Sequence, residues 1–458
     1  MIQSMVKGNP LKLIIFFALP IFLGHLFQQV YILSDLYILG RFLGVHALAV
    51  AGAMTPIFMM AIMLAAGFTN GLCVITAQRF GANDIKQVRR SFCCGLVLTA
   101  VFCCILIVSV QANLDVILKQ MNVPTDIYAD SKLFLKILIY SLVSTLFYNF
   151  LAGIMRALGD SKTPLYFLIF ASVLNIIINV TMILYFNWNV TGVAIGTGIA
   201  QTISVIFCAF YIFYRYPILR LKSKDWKMDF SFIMDHLKIS VPMSVQFSII
   251  GLSIIVVQSI CNTFGTETIA AFTSASRIEQ IATTPLFTLG MAISTYAAQN
   301  YGSRYIRRIR QGVLQCFLLM CLLSLGLAGL TYYWSDVLAG IFLKNPSEQV
   351  FHQAVTYIQT TSYFYFFLGM IFLFRQVLQG MGYPILPLIS GIVELFMRAF
   401  AALYLATSYG YIGICYAGPI AWIGGSIVVM LGYFVIISQF KVSLFGKLDQ
   451  RSVMPKKV

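Results

Sequence analysis

Residues 11–39 read LKLIIFFALPIFLGHLFQQVYILSDLYIL, an apolar run with Lys12 near its start, Pro20 inside it and Asp35 as its only acid. A transmembrane helix needs roughly 20 predominantly apolar residues, so this run is long enough to cross a bilayer with tilt. It is too long for a signal-peptide core and no small-residue cleavage site ends it, so it is expected to remain as a spanning helix. Pro20 lacks an amide hydrogen and predicts a kink. Asp35 is the costly residue. A charge at the bilayer centre costs at least about 2.5–3.5 kcal/mol on insertion scales, so a carboxylate kept there faces water, holds a partner or holds a proton.

The rest of the chain repeats the pattern of that run. Apolar residues make up 60% of the 458 and charged residues 10%, with a mean hydropathy of +0.87. Soluble domains carry about 25% charged residues because water must wet them. Here lipid is the solvent for much of the surface. Apolar runs of spanning length fall at 11–39, 46–77, 91–112, 130–156, 163–186, 190–214, 236–263, 268–300, 310–334, 352–380, 386–407 and 412–438. The expected fold is therefore an all-α polytopic membrane protein with twelve transmembrane helices.

A net charge of +16 in a soluble chain would suggest nucleic acid; topology explains it here. Of the 31 Lys and Arg, 23 fall in alternate loops and the two terminal segments. By the positive-inside rule both termini are cytoplasmic and the protein sits in the cell (inner) membrane. No nucleic-acid partner is expected. The ten cysteines all lie in apolar runs, where free Cys behaves as a small hydrophobe. No spacing suggests a metal site or a cofactor, and no loop holds the cluster of His, Asp or Glu that a membrane-embedded enzyme needs.

The chain also repeats itself with an offset of 221–223 residues. Phe17-Ala18-Leu19-Pro20 matches Ile239-Ser240-Val241-Pro242, and Ala77-Gln78-Arg79-Phe80-Gly81 matches Ala298-Gln299-Asn300-Tyr301-Gly302. Leu158-Gly159 with Pro164-Leu165 matches Met381-Gly382 with Pro387-Leu388. Three matches in one order indicate a six-helix duplication. Six is even, so the halves enter the membrane in the same direction, as parallel repeats around a central cavity. The expected domains are an N-terminal lobe 1–214, a basic cytoplasmic linker 215–235, a C-terminal lobe 236–440 and a cytoplasmic tail 441–458.

Three acids fall inside the runs, Asp35, Glu279 and Glu394, and Arg277 and Arg398 accompany them. Gln28 lies two turns before Asp35 on the same face, and Asn175 and Asn179 share a face of the fifth run. Asp35, Asn179 and Thr197 come out at similar depth in the outer leaflet at a 1.5 Å rise per residue. A carboxylate among amides and hydroxyls can hold Na⁺ or a proton. In the C-terminal half, Glu394 and Arg398 are spaced for an intrahelical pair. Together with Glu279 and Arg277 they form either a neutral structural network or one that opens on protonation or to a cationic substrate. Arg375, near a cytoplasmic end, is expected to snorkel. Tyr363-Phe364-Tyr365-Phe366-Phe367 would suit a flat cation through its π faces.

These features together resemble the multidrug and toxic compound extrusion (MATE) family over essentially the whole chain. The carriers are the duplication, the Pro20 and Pro242 helix openings, and Asp35 followed by Gly40-Arg41-Phe42-Leu43-Gly44. Ala77-Gln78-Arg79-Phe80-Gly81, Arg156-Ala157-Leu158-Gly159-Asp160 with Pro164, and Arg277-Ile278-Glu279 complete the set. The resemblance implies two six-helix lobes and alternating-access antiport of organic cations against Na⁺ or H⁺, by a monomer surrounded by membrane lipid. It places the N-lobe ion site on Gln28, Asp35, Asn175, Asn179 and Thr197, with Na⁺ at Asp35 as the one metal considered. Asn179 stands where that pattern has a second Asp, a change that weakens a Na⁺ site more than a proton site. The alternative within transport is a flippase for a lipid-linked saccharide; the equal numbers of interior acids and arginines favour a drug exporter.

Overall fold

The computed structural model describes residues 4–121, 123–186, 188–343 and 346–440; the expected tail at 441–458 lies outside them. In chain order the helices are α1 Pro10–Ile38, α2 Gly44–Gly81, α3 Ile85–Ala112, α4 Leu114–Gln120, α5 Tyr128–Ala157, α6 Lys162–Leu184 and α7 Val190–Arg215. The second series is α8 Phe230–Cys261, α9 Thr266–Gly302, α10 Ile306–Tyr333, α11 Ser335–Phe342, α12 Glu348–Ser362, α13 Tyr365–Gly380, α14 Ile385–Tyr409 and α15 Tyr411–Ser438. Among the described residues there is no β-strand. Only intrahelical pairing satisfies every backbone group of a single segment in hydrocarbon, which is why an apolar chain of this kind is helical. Eleven helices are long and apolar enough to span, and α12 with α13 makes a twelfth, bent by 52°.

The duplication is written in the backbone. Gly44 and Gly265 have φ of 78° and 92°, Asn83 and Arg304 have 60° and 61°, and Gly159 and Gly382 have 86° and 87°. Each pair sits at the repeat offset. The left-handed conformation at Gly159 and Gly382 ends a helix by the same device in both repeats. Asp160 N donates to Met155 O at 2.9 Å, and Tyr383 N donates to Leu378 O at 2.9 Å, closing orphan carbonyls. The repeats differ in that α5 is continuous, whereas its counterpart is broken between α12 and α13.

Two compact units result. One holds Leu23–Ser244; the other holds Ser4–Phe22 and the described residues from 245 onward. The chain passes between them inside continuous helices, at 22/23 in α1 and at 244/245 in α8, again one repeat apart. In the second unit Ile14, Phe17, Ala18 and Ile21 join a core with Leu286, Ile293 and Val377. Its N-terminal segment is fixed by Gln299, which accepts from Met5 N at 2.8 Å, and by Arg308, which donates to Gly8 O at 3.0 Å. In the first unit Val74 and Ile75 pack with Ile239 and Met243. There α2 lies against the start of α8 through Gly67 and Gly71. A Cβ on Gly71 would meet Ser240 Cα at 2.4 Å, the close backbone approach that small residues permit between membrane helices.

The basic stretch expected as linker is held, not trailing. Tyr216 donates its hydroxyl to Asp160 Oδ2 at 2.7 Å, and Arg89 reaches the buried Asp225 at 3.1 Å. Arg79 and Arg90 stack over Phe232, with guanidinium carbons 4.1 and 4.6 Å from its ring centre.

Candidate functional site

In the unit built on Leu23–Ser244, α1, α6 and α7 converge on Asp35. The 3.6-residue period puts Asn175 and Asn179 on one face of α6, and both are buried, at 2% and 0% exposure. Asn179 donates Nδ2 to Asp35 Oδ1 at 2.9 Å and to Asn175 Oδ1 at 2.9 Å. Asn175 donates Nδ2 to Thr197 Oγ1 at 3.0 Å, and Thr197 donates to Val193 O at 2.9 Å. Donation thus diverges from Asn179 on α6: one amide hydrogen goes to the carboxylate on α1, and the other starts a chain through Asn175 to Thr197 on α7.

Two residues absent from the sequence reading complete this site. The Tyr31 side chain, one turn before Asp35 on the same face, lies close to Asp35 and Thr197. Gly196 makes room for Asn179, since a Cβ there would lie 2.2 Å from Asn179 Oδ1. Gln28 behaves differently from expectation: it is exposed and makes no hydrogen bond among the described residues. Tyr31 takes the place on α1 expected for it, because a residue four before Asp35 is closer to the carboxylate than one seven before.

The amide orientation carries chemical information. Asn and Gln orientation is assigned from the hydrogen-bond network, and here turning Asn179 over would set its oxygen against acceptors on Asp35 and Asn175. With Asp35 ionised, this is the orientation that its neighbours favour. Asp35 faces the Asn179 N–H donor, and Asn179 Oδ1 is left buried without a partner among the described residues.

The other unit holds two separate polar groups rather than the single network expected. Glu394 does not pair with Arg398. It is bridged by Arg375, with Ser390 donating to Glu394 Oε1 at 3.1 Å and accepting from Arg375 at 3.2 Å. Arg375 is 5% exposed and Glu394 6%, so Arg375 is interior and does not snorkel. An intrahelical Glu–Arg pair contributes only about 0.2–0.5 kcal/mol, too little to hold Glu394 against a buried partner on another helix. Gly425 leaves the space, since a Cβ there would sit 2.6 Å from Glu394 Oε1.

The second group is half-buried. Tyr357 donates to Glu279 Oε2 at 2.7 Å, and Arg398 donates Nη1 to Ser253 Oγ at 3.0 Å. Glu279 and Arg398 are within Coulomb reach of one another, while Arg277 points outward and is exposed. In the aromatic run, Tyr365 is fully buried beside Trp422 and Tyr363 is exposed, so the five rings do not form one face.

Two six-helix repeats of apolar spans define a polytopic membrane protein, and the family match makes it a transporter. The chain belongs to the MatE family, whose profile matches residues 20–181 and 242–404, once per repeat. It is similar to the probable multidrug resistance protein YpnP of Bacillus subtilis, with 25% identity over 87% of this chain and 89% of that one. It is also similar to the probable multidrug resistance protein NorM of Thermotoga maritima, 21% identical over 97% and 94%. Among solved structures, an outward-facing MATE family multidrug resistance transporter of the MOP superfamily superposes with a TM-score of 0.88 at 22% identity, over 95% of this chain and 97% of that one. A MOP superfamily transporter from Pyrococcus furiosus gives 0.87 at 22% identity, with coverage of 95% and 97%.

Proposed function

We propose that this protein is a proton-coupled antiporter of the cell membrane, with both termini cytoplasmic, that exports cationic organic molecules by alternating access as a monomer. The observation that carries the coupling ion is the amide hydrogen that Asn179 turns to Asp35. Sodium needs a cage of oxygen lone pairs, and Asn179 spends both amide hydrogens on the interior of the site, leaving its oxygen turned away. A proton needs only one basic oxygen. Asp35 supplies it, is half-buried, and stands near the outer end of α1. Export of drug-like molecules is supported by the names of the relatives, multidrug resistance and multidrug export proteins that align over most of this chain.

The test is efflux of a fluorescent cation such as ethidium from proteoliposomes, under a pH gradient alone and a Na⁺ gradient alone, with Asp35→Asn alongside. The pH gradient is expected to drive efflux and Asp35→Asn to abolish it. Efflux driven only by Na⁺, or an Asp35→Asn protein that transports normally, overturns this assignment.

A further inference from the structure

The stretch from Arg215 to Asp229 leads from the end of α7 to the start of α8, and it is fastened down as a strap. Asp225 is sealed inside at 3% exposure, where it accepts from Arg89 Nε at 3.1 Å and from Lys222 N at 2.9 Å. Arg90 donates to Lys227 O at 3.0 Å and stands 3.5 Å from Asp229. Tyr216 and Leu219 are buried, and Tyr216 is tied to Asp160 in the turn between α5 and α6. The strap is thereby held level with the ends of spanning helices, where the headgroups of a bilayer lie.

Its open side is cationic. Arg215, Arg220, Lys222, Lys224 and Lys227 are all exposed, and none of them forms an ion pair among the described residues. Asp229 is the one exposed acid of the strap, and Arg90 already faces it. Aromatic side chains stand among the cations: Tyr214 is 82% exposed, Trp226 48% and Phe230 76%. Tyr and Trp favour the membrane–water boundary, where an apolar ring and a polar tip are both accommodated. A charge bias that only sets topology needs cations on one side and no fixed arrangement. Here the arrangement is fixed, with one acid turned inward and the cations left free. Clusters of about 4–8 Lys or Arg beside a spanning helix suit anionic lipid, and both side chains donate to phosphate oxygens.

We infer that this strap binds the phosphate headgroups of anionic phospholipids in the cytoplasmic leaflet. The leaflet named depends on the orientation proposed above; the binding itself depends on neither substrate nor coupling ion. The purified full chain in detergent, where both faces are accessible, is titrated with phosphatidylglycerol or phosphatidylcholine, and bound lipid is read by native mass spectrometry. Wild-type protein is expected to prefer phosphatidylglycerol. The triple variant Arg220→Gln, Lys222→Gln, Lys224→Gln is expected to weaken that binding at least about tenfold, and Lys224→Gln alone roughly fivefold, the worth of one basic residue near an anionic surface. A control triple of exposed cations in the other unit, Lys7→Gln, Lys12→Gln, Arg307→Gln, removes the same charge and is expected to keep the wild-type affinity. Unfolding temperature without added lipid reports that each variant is folded, and the single variant serves if the triple is not. No preference for phosphatidylglycerol in the wild type, or an equal loss in the control triple, overturns the inference. So does displacement of bound lipid by millimolar inorganic phosphate at constant ionic strength, which would make this a site for a free anion.

Discussion

Asn179 on α6 donates its amide to Asp35 on α1, Nδ2 to Oδ1 at 2.9 Å. The amide is the reason the site reads as a single titrating carboxylate. Its oxygen is disfavoured against an ionised Asp35, because Asp35 and Asn175 then both present acceptors to it. Introducing a second carboxylate at that position reverses the logic. Two carboxylates at such a distance cannot both ionise without a counter-charge, so they either share a proton or gather a cation. Asn179→Asp is expected to make efflux respond to a Na⁺ gradient that leaves wild-type protein unaffected. Dye efflux from proteoliposomes at fixed pH, with and without Na⁺, checks it; no response to Na⁺ in the variant contradicts the donor-and-acceptor account.

Gly196 tests whether Asn179 must sit where it does. A methyl group at Gly196 would lie 2.2 Å from Asn179 Oδ1, while at Gly198 the nearest atom to a new Cβ is Ser141 Cβ at 3.4 Å. Gly196→Ala is expected to displace the amide, cost about 1–3 kcal/mol as overpacking does, and reduce efflux at least as strongly as Asn179→Ala. Gly198→Ala should transport normally. Thermal unfolding in detergent separates loss of the site from loss of the fold, and an active Gly196→Ala protein would show that the amide position is immaterial.

How much of this was legible in the sequence differs by level. The helices were, because hydrocarbon leaves the backbone few choices and the repeat motifs mark their ends. Asp35, Asn175, Asn179 and Thr197 were brought together as expected, since helical period and depth fix them. Tyr31 was not singled out, although a hydroxyl one turn before a buried acid is a readable signal. Arg375 and its bridge to Glu394 were not legible. In a spanning helix both the lipid-facing and protein-facing sides are apolar, so no local pattern tells which side an arginine near the end will take. The Glu394–Arg398 spacing pointed elsewhere because local spacing carries no information about packing between helices.

Asp160 carries a pH dependence whose sign can be worked out. It lies in the turn between α5 and α6. Burial raises its carboxyl, but the Thr163 amide, the Tyr216 hydroxyl and the Thr163 hydroxyl outweigh that and hold it below its ordinary 3.8. A carboxyl lowered in the folded state contributes stability above its unfolded value and loses it as pH falls through the folded one. Wild-type protein should therefore keep this contribution above about pH 4 and lose it below 3.8. Asp160→Asn, which weakens the start of α6, should cost about 0.5–2 kcal/mol at neutral pH and flatten the acid limb. Unfolding temperature against pH in both proteins measures it; parallel curves would refute the assignment.

The buried Arg375–Glu394 bridge can be judged against the other repeat, where the same helical positions hold Ala152 and Ala171, exposed by 2% and 3%. A six-helix repeat of this kind therefore packs without an ion pair there. Taking two charges from water is costly, and such pairs are often replaceable by apolar residues while breaking one half costs about 3–5 kcal/mol. Arg375→Met alone leaves a buried carboxylate with only Ser390 for company, and Glu394→Leu alone leaves a buried guanidinium. Each single variant is expected to lose stability on that scale. The double variant Arg375→Met with Glu394→Leu is expected to recover most of it, since it recreates the apolar arrangement of the sister repeat. If thermal unfolding shows the two losses adding rather than cancelling, the residues act independently and the bridge is not the unit that matters. If the double variant is stable yet transports poorly, the pair serves the transport cycle and not the fold.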